Sequence, residues 1–244
     1  MPDIARRATA GIHVEALAFE AGRLSVEEGG LSGADGRLVA DGNNGGRIRV
    51  RAGMHLPRYR FTVAHEIGHC CLHAGGFIER TDSGRTFGIW NDESEEAEAN
   101  TFAGELLLPS DFFIPRAEGR EPSISLLTNI AEEFKTSRLA TAVQYINYTN
   151  EVVALVVSRG WDIEWSKKTK DFWPTVRRGQ ISKDSAAGER LGKIRGDSGR
   201  MVLTPAYAWL ECFENSDKDI KEDSIYLEYY DRTVTLLWWD DDDE

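Results

Sequence analysis

The stretch TVAHEIGHCCLH, residues 62–73, decides the fold of this chain. It has no alternation of apolar and polar residues, and apart from its ionisable side chains it is apolar on every side. That pattern predicts a helix in the protein interior. His65 and His69 are four residues apart, so they lie one turn above each other on the same helix face. Glu66 follows the first histidine and lies at the flank of that face.

These three side chains match the chemistry of a hydrolytic zinc site. Zinc requires several ligands that converge on one point, and His65 and His69 supply two of them from one helix. The Glu66 carboxylate can take a proton from a metal-activated water without binding the metal itself. Unpaired charge in apolar surroundings is costly, and a bound cation removes that cost. The pattern predicts one catalytic Zn²⁺ per chain; the alternative is a helix with ordinary core histidines.

His73 continues the four-residue spacing but is a poor candidate for the third ligand. It is eight residues from His65, which corresponds to about 12 Å along a helix axis. Ligands of one zinc ion lie only about 2 Å from the metal. His73 is therefore predicted to support the site without binding the ion.

The acidic stretch DESEEAEANTFAGELLLP, residues 92–109, offers the missing ligand. It predicts a helix over about 94–108 that stops at Pro109. On this helix Glu96 and Asn100 share a row at the edge of the core stripe, so both can point into one site. Glu95 lies closer to the core stripe and stays open as a ligand at this point. The alternative is a solvated acidic first turn, which the helix dipole favours.

The segments around these two helices predict a mixed α+β fold. Residues 10–22 have a helical spacing of apolar residues, and the short runs before residue 60, separated by glycine-rich turns, predict a small antiparallel sheet. Residues 75–93 are rich in turn formers and charge and predict a surface loop. An extended substrate is predicted to add along an edge of the sheet, at the strand of residues 47–51.

The second half of the chain changes in character. Residues 123–148 carry the apolar stripes of two short helices, which resemble a helix-turn-helix. Beyond residue 150, runs such as VVALVVS and TVTLLWW predict a mainly antiparallel, β-rich unit. We therefore predict two domains, residues 1–150 with the active-site helix and residues 151–244 as a regulatory or substrate-selecting unit.

Together, RFTVAHEIGHCCLH and EEAEANTFAGELLLP resemble the paired signature of the ImmA/IrrE family of metallopeptidases. In that family the third zinc ligand is a glutamate four residues before an Asn or Asp. The pattern falls on Glu96 and Asn100, so the resemblance implies Glu96 as ligand and Asn100 as its neighbour in support of the site. The likeness extends through IAEEFKTSRLATAVQYI, residues 130–146, and more weakly to TVTLLWW, residues 233–239. It implies a zincin-like metallopeptidase domain.

The resemblance also implies a function. Members of the family are cytoplasmic zinc endopeptidases, with a glutamate such as Glu66 as general base. Commonly they cleave a regulatory protein, such as a helix-turn-helix transcriptional repressor, in stress responses or mobile-element control. The competing interpretation is a non-proteolytic, zinc-containing transcription regulator or anti-repressor that acts by binding.

The composition indicates which partners the protein can bind and in which cellular compartment it is expected. The 41 acidic residues outnumber the 29 basic ones and give a net charge of -12, which argues against direct nucleic-acid binding. The three cysteines include two that are adjacent, and their spacing suggests no disulfide framework. No run approaches the ~18 apolar residues of a membrane span. We expect a cytoplasmic protein with a protein substrate and no membrane partner.

Overall fold

The computed structural model of the chain describes residues 12–41, 44–73, 77–82, 94–191, 200–214 and 216–239. The helices are α1 (Val14–Gly22), α2 (Leu56–His73), α3 (Glu95–Leu107), α4 (Ser110–Ala117), α5 (Ile124–Phe134), α6 (Arg138–Tyr148) and α7 (Ala186–Leu191). The strands are β1 (Leu24–Gly29), β2 (Gly36–Asp41), β3 (Gly45–Arg51), β4 (Phe77–Asp82), β5 (Val153–Arg159), β6 (Asp162–Lys168), β7 (Val202–Pro205), β8 (Asp219–Leu227) and β9 (Arg232–Trp238). Short 3-10 turns occupy Ala206–Ala208 and Glu228–Tyr230. The predicted α+β class is confirmed.

The first sheet has the strand order β1-β3-β2-β4. Its prediction as antiparallel is wrong for one pair, because β3 returns between β1 and β2 and runs parallel to β1. That position also makes β3 an internal strand, so residues 47–51 are not the edge predicted to receive a substrate. The predicted loop of residues 75–93 contains strand β4, which pairs antiparallel with β2. Residues 75, 76 and 83–93 of that loop, and residues 10 and 11 of the predicted first helix, lie outside the described residues.

Helix α2 begins earlier than Thr62, the first residue of the stretch predicted to be helical. Pro57 lies in its first turn, where a missing N–H costs nothing, and the His55 ring accepts a hydrogen bond from the Arg58 N–H at 3.3 Å. Residues 60–70 are all buried, which confirms an interior helix over most of the predicted stretch, whereas Cys71 and Leu72 in its last turn are exposed. The helix packs against α1, α3, β2 and β3.

Helix α3 lies where the acidic stretch predicted it. Ser94 caps its first turn, because the side-chain oxygen accepts from the Ala97 N–H at 3.3 Å. The first turn carries Glu95, Glu96 and Glu98, which the positive end of the helix dipole stabilises. The helix ends two residues before Pro109.

The helix-turn-helix-like pair is present as α5 and α6. Lys135 adopts a left-handed conformation with φ 55° and ends the first helix. Ser137 begins the second, since its hydroxyl oxygen accepts from the Ala140 N–H at 3.1 Å. Residues 139–146 of α6 are all buried.

The β-rich C-terminal part forms a five-stranded antiparallel sheet of order β6-β5-β9-β8-β7. Phe172, Trp209 and Leu237 lie in its core. On β8, the buried Asp223 accepts a hydrogen bond from the Ile124 N–H at 2.8 Å and so caps the start of α5. The antiparallel pairing of all five strands confirms the predicted β-rich, mainly antiparallel part of the chain.

The chain divides into two compact units. One comprises Met1–Phe113 and Ala131–Ala140, and the other comprises Ile114–Ile130 and Thr141–Glu244. The predicted division of roles at residue 150 stays a prediction. Among the described helices, none has the length and apolar character needed to span a membrane.

Candidate metal centre

His65 and His69 project from the middle of α2 toward one point. Both side chains are buried, and their rings meet edge to face with centroids 4.6 Å apart. Their Nε2 atoms are 3.0 Å apart. The four-residue spacing on a buried helix therefore places two nitrogen donors side by side in the protein interior.

Glu96 closes this group from the first turn of α3. Its Oε2 lies 3.3 Å from His65 Nε2, and its Oε1 lies 3.3 Å from His69 Nε2. Hydrogen bonds from His65, and then from His69, hold the pKa of the Glu96 carboxyl far below its usual range. The carboxylate is therefore charged at neutral pH and available as a metal ligand.

The three donors fit a divalent zinc ion. Among the described residues, His65, His69 and Glu96 form the group whose donor atoms all lie within 4.8 Å of one another. Tetrahedral zinc with metal–ligand bonds of about 2.0–2.1 Å has ligand atoms about 3.3 Å apart. The measured separations of 3.0 and 3.3 Å are close to that value. Two imidazoles and one carboxylate also leave a fourth position for a water or a substrate.

Asn100 holds His65 in the orientation that such a site needs. Its Oδ1 lies 3.0 Å from His65 Nδ1, and the side chain is buried one helical turn beyond Glu96. Because an amide oxygen only accepts, Nδ1 is the donor in this contact, and Nε2 is the ring atom that would bind a metal ion. His65 Nε2 faces Glu96 and His69.

Replacing Asn100 by alanine is expected to weaken zinc binding about 10- to 100-fold, the usual cost of removing a partner that orients a histidine ligand. Competition against a chromophoric chelator measures the dissociation constant. Thr101→Ala is the matched control, because Thr101 is an exposed residue whose hydroxyl donates to the Ala97 carbonyl one turn back. An unchanged affinity in Asn100→Ala would contradict this role.

His73 lies at the end of α2 and outside the group of three. Its Nε2 donates to the carbonyl oxygen of Glu95 at 3.2 Å and lies 3.6 Å from the Glu98 carboxylate. The ring thus connects the end of α2 with the first turn of α3, directly before Glu96. Glu95 contributes its backbone to this contact, and it is Glu96 that reaches the two histidines.

Glu66 is fully buried and lies on the flank of α2, next to the first histidine. Its carboxylate lies against Gly36, the first residue of β2. The sequence pattern pointed to Glu66 but not to Gly36, because the glycines before residue 60 were interpreted as turns between strands.

Gly68 is a second residue that the sequence reasoning did not single out. A Cβ at this position would lie 3.1 Å from Phe102 Cδ1 and 3.2 Å from Ala99 Cα. The missing side chain lets α3 approach α2 closely enough for Glu96 to reach the histidines. The signal in the sequence is the run of small residues on the facing helix, among them Ala99 and Ala103.

Comparison with solved structures supports the fold alone. A Mycobacterium tuberculosis transcriptional regulator matches with a TM-score of 0.56 and 13% sequence identity, covering 97% of this chain and 75% of that one. A search of the curated proteins finds no significant match.

Comparison with protein families gives a more specific result. The family model described as the IrrE N-terminal-like domain, a peptidase family, matches residues 10–144. This segment holds α2 and α3 with all of the residues of the site, and it is more than half of the 244-residue chain. The chain belongs to the family of the IrrE N-terminal-like domain.

Proposed function

We propose that this protein is a zinc-dependent endopeptidase with one zinc ion per chain. His65, His69 and Glu96 hold the ion, and Glu66 is the general base. The observation that carries the proposal is the convergence of three donor atoms within 4.8 Å, next in sequence to a fully buried glutamate. Family membership supports it, since the matching model is that of a peptidase family.

When bound, the zinc ion supplies Lewis-acid chemistry that acidifies a water and polarises a peptide carbonyl. Glu66 accepts the proton of the attacking water and delivers it to the leaving amine. Its burial removes competing bulk water from the carboxylate, and its place on α2 keeps it beside His65. Asn100 keeps the proton of His65 on Nδ1 throughout.

The substrate is a regulatory protein, and a helix-turn-helix transcriptional repressor is the proposed class. This part rests on the resemblance of the two active-site helices to ImmA/IrrE metallopeptidases. Roles in transcription regulation and stress responses follow from the same resemblance.

The second candidate is a regulator that acts by binding without proteolysis. The structural likeness to a transcriptional regulator favours it, although at 13% identity that likeness extends to the fold alone. Direct DNA binding through α6 has less support, because residues 139–146 are buried and leave no exposed face to enter a groove. A binding regulator would form a stable complex with its partner and leave the partner intact.

The test is cleavage of a candidate repressor, encoded nearby or co-purifying, by the zinc-loaded full chain. Intact mass spectrometry follows the products. We expect two fragments, no cleavage after the metal is removed by a chelator, and recovery when zinc is returned. A complex with an intact repressor would support the binding regulator. Failure of the chain to bind zinc would overturn the proposal.

A further inference from the structure

Gly36 lies where a side chain would displace the carboxylate of Glu66. A Cβ built on this glycine would overlap Glu66 Oε1 and would lie 2.7 Å from Thr62 Cγ2 and 3.3 Å from Glu66 Cδ. The residue is buried, and its backbone is ordinary strand without a positive φ. Conformational freedom therefore does not explain a glycine here. Glycine is needed at position 36 because the Glu66 carboxylate and the Thr62 methyl group occupy the space that a side chain would fill.

A buried ion pair holds this part of β2 against α2. Asp35, directly before Gly36, accepts two hydrogen bonds from the Arg58 guanidinium through Oδ2, at 2.9 and 2.5 Å. Arg51, the last residue of β3, reaches the other carboxylate oxygen at 2.7 Å. Arg58 is 3% exposed and lies eight residues before Glu66 on α2, about 12 Å along the helix axis. The Asp35 carboxylate thus fixes Gly36 to the helix that carries Glu66.

We propose that Gly36 is a positioning residue for the general base, with the Asp35–Arg58 pair holding it in place. The close approach of the Gly36 Cα leaves the Glu66 carboxylate no room to move toward the sheet, so this contact limits the positions that the base can take. A general base must lie within about 2.6–3.2 Å of the proton that it takes. A displacement of about 1 Å is enough to cost about 100-fold in rate. This inference rests on the proposed endopeptidase function.

The first experiment compares Gly36→Ala with Gly46→Ala as a matched control. Gly46 lies on β3, and a Cβ there would overlap the Val39 carbonyl oxygen and lie 2.7 Å from Ala40 Cα. Both substitutions thus crowd the same sheet, but only Gly36→Ala meets Glu66. We expect Gly36→Ala to keep its zinc and its KM and to lose about 100-fold in kcat. Gly46→Ala should lose thermal stability and keep kcat within a few-fold. Equal losses of kcat in the two variants, or a wild-type kcat in Gly36→Ala, would overturn the proposal.

A second experiment tests the contact without any activity. Thermal unfolding is compared for the wild type, Gly36→Ala, Glu66→Asp and the double variant. Aspartate is shorter by one methylene and withdraws the carboxylate from Gly36, so Gly36→Ala should lower the Tm less in the Glu66→Asp background. Equal decreases in both backgrounds would refute the positioning contact. If the wild type cleaves nothing while the decreases differ, the endopeptidase proposal fails and the contact stands.

Discussion

Glu66→Gln is expected to retain stoichiometric zinc and to lose about 10²- to 10⁴-fold in cleavage rate, the usual contribution of a general base. Glutamine has the shape of glutamate but accepts no proton at neutral pH, and the ligands His65, His69 and Glu96 are unchanged. The packing against Gly36 is also kept, so the fold should be preserved. Metal content and single-turnover cleavage of the same repressor sample measure the two effects separately.

The matched control for this variant is Glu20→Gln. Glu20 is exposed on α1, and the substitution makes the same change of charge away from the site. It should cleave at the wild-type rate. If Glu66→Gln cleaved as fast as this control, Glu66 would not be the base. If Glu66→Gln still produced the biological effect without cleavage, the binding regulator would be favoured.

Glu96→Gln is expected to lose most of its zinc, and with it the cleavage activity. The Glu96 carboxylate approaches both histidines at 3.3 Å, and a neutral amide is a far weaker ligand for a divalent cation. The loss of affinity should exceed the roughly 10- to 100-fold that removal of a supporting partner costs. Zinc stoichiometry after dialysis against a competing chelator is the measurement.

Glu95→Gln is the control, because it removes an equal charge one position earlier on α3. The Glu95 contact with His73 is made by its backbone carbonyl, which the substitution leaves in place. This variant should therefore retain its zinc. If Glu95→Gln lost its zinc while Glu96→Gln retained it, the third ligand would be Glu95 and not Glu96.

The two helices of the candidate metal centre were predictable because each of them follows from a pattern that is local in the chain. His65 and His69 are one turn apart, and so are Glu96 and Asn100, so each pair depends only on the period of a helix. The helix periodicity alone did not decide whether Glu95 or Glu96 contacts the histidines. Resemblance to a family with two linked motifs pointed to Glu96, and the structure brings that side chain to both rings.

The sheet was harder to predict because strand pairing is decided by distant parts of the chain. The alternating runs before residue 60 indicated strands but contained nothing that sets their order, so the parallel pairing of β1 with β3 was missed. Strand β4 comes from a stretch rich in turn formers, and its partner β2 lies far earlier in the chain. Gly36 was missed for the same reason, since its contact with Glu66 spans two separate elements.

The division of the chain has a consequence for dissecting the protein. The backbone passes from one compact unit to the other after Phe113, after Ile130 and after Ala140, so no single cut separates them. A fragment that ends at residue 150 would contain α5 without Asp223, whose carboxylate accepts a hydrogen bond from the Ile124 N–H. Truncation at that point would remove the acceptor of the Ile124 N–H, so residues 1–150 and residues 151–244 should not be treated as fragments that can be expressed separately.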